Sequence, residues 1–299
     1  MIFVRHPERS SASKYRPEGV EMAMEFLTVY WRDMLRFFRF RALLISSLIQ
    51  PALWLALYGG AMSSSFSRFD STLNLSHAGV SISYLTFLGA GVIALTALFT
   101  SLFGGMFLIF DKEFGLLREV FASPMPRTHI IIGIGLSGIT KSLLQVSVII
   151  GFGLLIGVRF FSGRAPLQII LDILGIFAFV GVFSLGILFL SSAISLSMDN
   201  HEGLQGVITL LSMPIFFASN ALYSIDVFPW PLKVASAINP LTHLINGVRY
   251  FAIGNDFYAM GYHYAYSTDD VVRSMLALTA FAGFMFLVAR WALKRAVVV

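Results

Sequence analysis

The chain has 299 residues, of which 57% are apolar and 12% charged, against about 45–50% and about 25% in soluble domains. So few charges cannot cover a soluble protein of this length, and lipid is the expected solvent. The lack of cysteine excludes disulfides and thiolate metal sites, and the net charge of +5 comes from basic residues beside apolar runs rather than from a separate basic domain of the kind that binds nucleic acid.

Residues 1–18 are polar, with Ser10, Ser11, Ser13 and two prolines, and read as a flexible cytoplasmic tail. Met1 to Val4 run straight into Arg5, His6, Pro7 and Glu8, so no apolar core of a secretory signal forms. Residues 19–299 read as one membrane domain. Its first element, 20–40, follows a helical period. Ala23, Phe26, Leu27, Tyr30, Met34, Phe37 and Phe38 fall on one face; Glu21, Glu25, Thr28, Arg32, Arg36 and Arg39 fall on the other. Such a helix is expected to lie flat among lipid headgroups.

Six apolar segments follow, at about 42–62, 84–110, 130–158, 167–196, 204–223 and 272–293. Each is near the roughly 20 residues that a helix needs to cross a bilayer. The expected fold is therefore all-α, with six transmembrane helices, the interfacial helix ahead of them and short outer-face helices before the last span. Lys and Arg set the orientation. They gather in the tail and surface helix, in the loop after the second span (Lys112, Arg118, Arg127) and at the C-terminus (Arg290, Lys294, Arg295). Both termini are thus expected in the cytoplasm of a multi-pass cell-membrane protein. The loop 198–203 carries no basic residue and does not share in this bias. The long outer loop, 224–271, contains the stiff turn Phe228-Pro229-Trp230-Pro231. It also contains an amphipathic pattern opened by Asn239-Pro240 and running to Phe251.

No chemistry of catalysis is legible. Gly133 to Gly138 is followed by Ile139 and Thr140 before Lys141, two residues too far for a phosphate cradle. The six histidines are scattered over different loops with no metal-ligand spacing. The informative segment is 111–127, a charged, helix-prone patch between two apolar runs. Its charges must lie at the membrane surface, where a soluble partner can push on it; a plain connector anchored at headgroups is the competing reading. Lys141 lies in the third segment, either as an ionisable group on a transport path or with its amine reaching the interface. Asp172 stands near the outer end of the fourth, where an interfacial carboxylate is the simpler reading. Phe99, Phe103, Phe216 and Phe217 suit a greasy pathway or ordinary lipid contact.

Glu113, Gly115, Glu119, Ser123-Pro124 and Arg127 together resemble the coupling segment of ABC-2 type exporter permeases, and Asn239-Pro240-Leu241-Thr242 to Arg249 resembles that family's segment before its last span. The resemblance covers about residues 20–295 and lies nearest the drug-resistance and nodulation-factor exporters. The departure is Phe114 and Leu116 around Gly115, where many members are polar. The resemblance implies a transport subunit rather than an enzyme, with no cofactor of its own. It implies a partner ATPase dimer that holds ATP and magnesium, and a second permease copy. It also implies outward movement of an amphipathic or lipid-linked substrate. Glu113, Gly115, Arg118, Glu119, Pro124 and Arg127 would make the ATPase contact. The rival class is an ion-coupled secondary transporter, which needs paired intramembrane acids or broken helices and has Asp172 alone in its favour.

Overall fold

A computed structural model describes residues 18–73, 81–115 and 127–296. The first helix, α1 (Glu18–Arg39), buries Val29, Asp33, Met34 and Phe37. This spacing keeps one stripe of a helix on one neighbour. Leu27, Trp31, Leu35 and Phe38 face away from the protein. Leu27 and Phe38, read on one apolar face with Met34 and Phe37, are thus split from them onto the outward side, and an acid takes a place within the buried stripe. Gly133 admits α1 closely: a Cβ there would meet Val29 Cβ at 2.8 Å and the Phe26 carbonyl oxygen at 2.9 Å.

A helical run from Arg41 to Leu73 follows, made of α2 (Arg41–Leu53), a π-helical segment (Trp54–Gly59) and α3 (Gly60–Leu73). Next come α4 (Tyr84–Gly104) and α5 (Met106–Glu113), separated at Gly105. At that break Ser191 donates to the Leu102 carbonyl and Ser195 to the Gly105 carbonyl at 2.8 Å. Acceptors freed where a helix bends are thereby satisfied by a neighbour. Gly105 is required there, because a Cβ would lie 2.8 Å from the Ser191 carbonyl carbon.

The remaining helices are α6 (Arg127–Leu155), α7 (Pro166–Ser197), α8 (His201–Phe217), α9 (Trp230–Ile238), α10 (Pro240–Ala252) and α11 (Thr268–Ala296). Prolines open α7 and α10 where no donor is needed, and the Asn239 side chain caps α10 by accepting from Leu241 N–H at 2.9 Å. Between α10 and α11 lies an antiparallel hairpin, β1 (Asp256–Ala259) and β2 (Tyr262–Ala265). Its turn residues Met260 (φ 55°) and Gly261 (φ 79°) both have positive φ, as a tight two-residue hairpin requires. Among the described residues the regular structure is thus helical apart from this hairpin and a single bridge from Ser81 to Tyr258; the hairpin is a detail absent from the sequence reading.

Among the described residues, four helical stretches are long and apolar enough to cross a bilayer: Tyr84–Glu113, His129–Leu155, Pro166–Ser197 and Thr268–Arg295. The expected first span falls on the run interrupted by the π segment, and the expected fifth falls on the 17-residue α8. Helix α4 occupies the centre, packed on α6, α7 and α10, while α11 lies along α7. Hydrophobic burial of α4 is nearly complete, with Phe87, Leu88, Ile93, Leu98 and Leu102 all enclosed. The bundle has two unlike ends. At the basic end α1 packs on the first turns of α6, and α5, α7 and α11 finish. At the capped end α10 and the hairpin cover the start of α4.

Candidate functional site

The basic end holds a set of charges that the fold brings together from distant parts of the chain. Asp111, on α5 and almost fully buried, receives Arg32 at 2.8 Å and Arg36 at 2.7 Å, one helical turn apart on α1. Asp33, from the buried stripe of α1, accepts from Lys141 and Ser137 on α6. The Lys141 ammonium also lies 4.9 Å from the Phe107 ring centre and 5.7 Å from that of Phe37, within the range where an aromatic face attracts a cation. These pairs fix α1 in register against α5 and α6, since a slip of one turn would leave two carboxylates buried and unpaired.

The end of α5 is fastened to the start of α8. Lys112 donates to the Met198 carbonyl at 2.7 Å and pairs with Asp199 at 3.2 Å. Glu113 accepts from the His201 backbone N–H at 2.8 Å, and both its oxygens stand 3.3 Å from His201 Nδ1. A carboxylate at a helix N-terminus meets unpaired N–H groups and the positive end of the helix dipole. Gly115 follows with φ 75°, its N–H bonded to the Lys112 carbonyl at 3.2 Å. This left-handed residue ends the helix as glycine commonly does and releases the chain into 116–126. Arg118, Glu119 and Pro124 lie outside the described residues. Arg127 opens α6, and its side chain is outside them too. Phe114, the departure from the family pattern, is 75% exposed.

The other residues singled out in the sequence are dispersed. Phe99 and Phe103 are half-buried and stacked on α4, with ring centres 6.0 Å apart. Phe216 is buried against Trp54 at 6.1 Å, whereas its neighbour Phe217 is exposed. Lys141, at 3% exposure, is enclosed with Asp33 rather than extended to an interface. Asp172 is paired with Arg164 and accepts from Gln168 at 3.1 Å. Arg164 also donates to the Phe251 carbonyl at 2.5 Å, tying the start of α7 to the end of α10. Asp33 was missed in the sequence reading, and Asp111 was read only as the first residue of the charged patch, not as a buried partner of α1. The available signal was an acid at a position whose helical neighbours, Val29 and Phe37, are apolar. Among the described residues no three acids or histidines come together in a way that could hold a metal.

The capped end is built differently. Arg249 on α10 is fully buried. Its guanidinium carbon lies 3.6 Å from the Phe87 ring centre and 5.7 Å from that of Tyr264, and Nη2 donates to the Asn220 carbonyl at 2.7 Å. Asn220 Nδ2 in turn donates to Asn246 Oδ1 at 2.7 Å. Arg249 Nε and Nη1 and Asn220 Oδ1 have no protein partner. His243, on the same helix, is held by the Ala237 carbonyl at 3.0 Å and lies 3.4 Å from Ser274 Oγ. Burial lowers its pKa below the ordinary histidine value, with the Ala237 contact opposing.

Comparison with known proteins places this geometry in context. The model of the family described as ABC-2 type transporter matches residues 24–253. A putative transport permease, ycf38, of Porphyra purpurea is 31% identical over 238 residues, covering 79% of this chain and 77% of that protein. Its counterpart in Cyanophora paradoxa is 29% identical, covering 84% and 82%. A probable doxorubicin resistance ABC transporter permease protein, DrrC, of Mycobacterium tuberculosis (strain CDC 1551 / Oshkosh) is 25% identical over 167 residues, covering 54% and 58%.

Proposed function

The chain belongs to the ABC-2 type transporter family, and from that premise we propose that it is the permease subunit of an exporter driven by a separate ATPase dimer. In this reading the Arg41–Leu73 run and α8 also cross the bilayer, giving six spans with both termini in the cytoplasm of the cell membrane. A second copy completes the pathway. An amphipathic or lipid-linked molecule moves outward between the copies, past Phe99, Phe103, Phe216 and Phe217. ATP and magnesium belong to the partner.

The observation that carries the reading is the arrangement around Glu113 and Gly115. The chain leaves α5 through a left-handed glycine immediately before 116–126, beside the start of α8 and near the foot of α1. A docked ATPase that moves this segment acts on α5 and α6 directly, since the segment joins them. The Asp33–Lys141 and Asp111–arginine pairs carry the same motion to α1. Lys141 then serves as the anchor of α1. Rigid-body rotation of packed helices is an ordinary way for such a push to be amplified.

Two measurements test this. The chain is co-purified with a candidate ABC ATPase from the same organism, as native protein and as E119K. The variant is expected to lose about tenfold or more in affinity, about 1.4 kcal/mol, while inserting into membranes as before. Unchanged capture of the partner by E119K removes the coupling role. The absence of native cysteine also makes single-cysteine labelling clean. A cysteine at position 119 that reacts in intact cells with an impermeant maleimide places the segment outside and overturns the reading.

A further inference from the structure

Burying a charge in a membrane protein is costly unless a counter-charge accompanies it. Asp33 is held by Lys141, Asp111 by Arg32 and Arg36, and Asp172 by Arg164. Arg249 is as deeply buried as any of these, at 0% exposure, yet it forms no ion pair with a described carboxylate. Asp226, on the turn after α8, is bound to Ser224 at 2.9 Å instead. The guanidinium has a π face beneath it, a single neutral acceptor on Nη2, and two nitrogens, Nε and Nη1, without a protein partner. A chain that pairs its other buried charges leaves one permanent cation with unspent donors.

We propose that Arg249, backed by Phe87 and Tyr264 and flanked by the Asn220–Asn246 amide pair, is the recognition site for the anionic group of an amphiphile. A phosphate or carboxylate on an apolar body supplies the missing charge. Its ionised oxygens take the Nε and Nη1 donors that no protein group uses and add the opposite charge that the neutral Asn220 carbonyl cannot supply. An arginine cannot neutralise itself by losing its proton, so the site rejects cations and tolerates neutral molecules poorly. The apolar body would pack among buried and half-buried rings of the core. Aromatic rings continue from Phe87 to Tyr84 at 6.4 Å, from Tyr84 to Phe66 at 4.9 Å and from Tyr84 to Tyr58 at 6.4 Å. The ligand enters when the cap of α10 and the hairpin lifts from α4. This inference rests on the transport reading for its choice of an amphiphile, but the site itself is testable without the ATPase.

The purified chain in nanodiscs of zwitterionic lipid, without ATP or ATPase, is titrated with dodecyl phosphate, dodecanol, dodecyltrimethylammonium and inorganic phosphate. Dodecyl phosphate is expected to bind at least about tenfold tighter than dodecanol, about 1.4 kcal/mol. The ammonium probe is expected to bind weakest, and inorganic phosphate not to compete at equal concentration. R249Q removes the preference for phosphate over alcohol and R249K retains part of it. Equal binding of phosphate and alcohol by the native chain, or an unchanged preference in R249Q, overturns the proposal. Competition by inorganic phosphate alone overturns the choice of an amphiphile. Adding phosphatidylglycerol to the bilayer separates the sources: full competition assigns the site to a bilayer lipid, and none assigns it to a soluble amphiphile.

A second measurement needs no variant that might fail to fold. A photoreactive dodecyl phosphate is crosslinked to the native chain. Adducts at Phe87, Asn246 or Tyr264 support the site; adducts confined to outward-facing Leu171 and Leu276 overturn it. Transport that fails while the phosphate preference persists removes the exporter reading and leaves the anion site standing.

Discussion

The two ends of the bundle handle buried charge in opposite ways. At the basic end, Asp33, Asp111 and Lys141 are enclosed together with opposite charges drawn from helices far apart in sequence. At the capped end, Arg249 is enclosed with aromatic rings, amides and one carbonyl oxygen. A closed pair fixes register and resists change, because removing either member strands the other. A lone cation held by neutral groups keeps most of its electrostatic attraction available. The first arrangement suits the part of a machine that must transmit force without slipping, and the second suits a part that must exchange contacts.

The contrast can be broken most severely at Lys141. K141M leaves Asp33 buried with only the Ser137 hydroxyl for a partner, and the expected loss is about 3–5 kcal/mol. It reads out as a large fall in the thermal midpoint of the purified chain. Removing both charges in D33N/K141M is expected to recover much of that loss, and a full double-mutant cycle measures the coupling between them. If the double variant is as unstable as the single one, the pair has no special hold on α1. At the capped end R249M strands no counter-ion. It gives up one hydrogen bond and the ring contacts with Phe87 and Tyr264, but it also removes an uncompensated buried charge, so its midpoint should fall clearly less than that of K141M. Equal losses would erase the distinction between the two ends.

The smallest effect concerns His243. Its pKa is lowered in the folded chain, so the neutral ring is favoured there. In the unfolded chain it titrates near 6.5. Acidification therefore loads protons onto the unfolded state first, and the stability contributed by the neutral ring is lost as pH falls below about 6.5. Midpoints compared at pH 7.5 and pH 5.5 should show a small decline in the native chain that is reduced in H243Q. A decline of the same size in both would assign the pH response to other groups.

What was legible in the sequence were the features that depend on neighbours along the chain. The apolar runs gave the long helices, and Asn239-Pro240 marked the start of α10. The charged patch after the second apolar run was also legible; Gly115 was singled out in it as part of the coupling motif, and its role in ending α5 was not. The pairings were not. Arg32 and Asp111 are 79 residues apart and Lys141 and Asp33 are 108 apart; no local period relates them. Glu113 read as a contact for a partner because its neighbours are charged, and it is the turn between α7 and α8 that brings His201 to it. The hairpin escaped because its strands are four residues each and rich in aromatics, too short to show alternation. Arg249 read as part of a motif, and only the enclosure around it gives the guanidinium chemical meaning.

The clasp between Glu113 and His201 has one further consequence. Because the last residue of α5 grips the first residue of α8, a load placed on the residues just beyond Gly115 is shared between two levers from the outset. The stroke would therefore arrive in the membrane as a shear between neighbouring rods rather than as the bending of a single one.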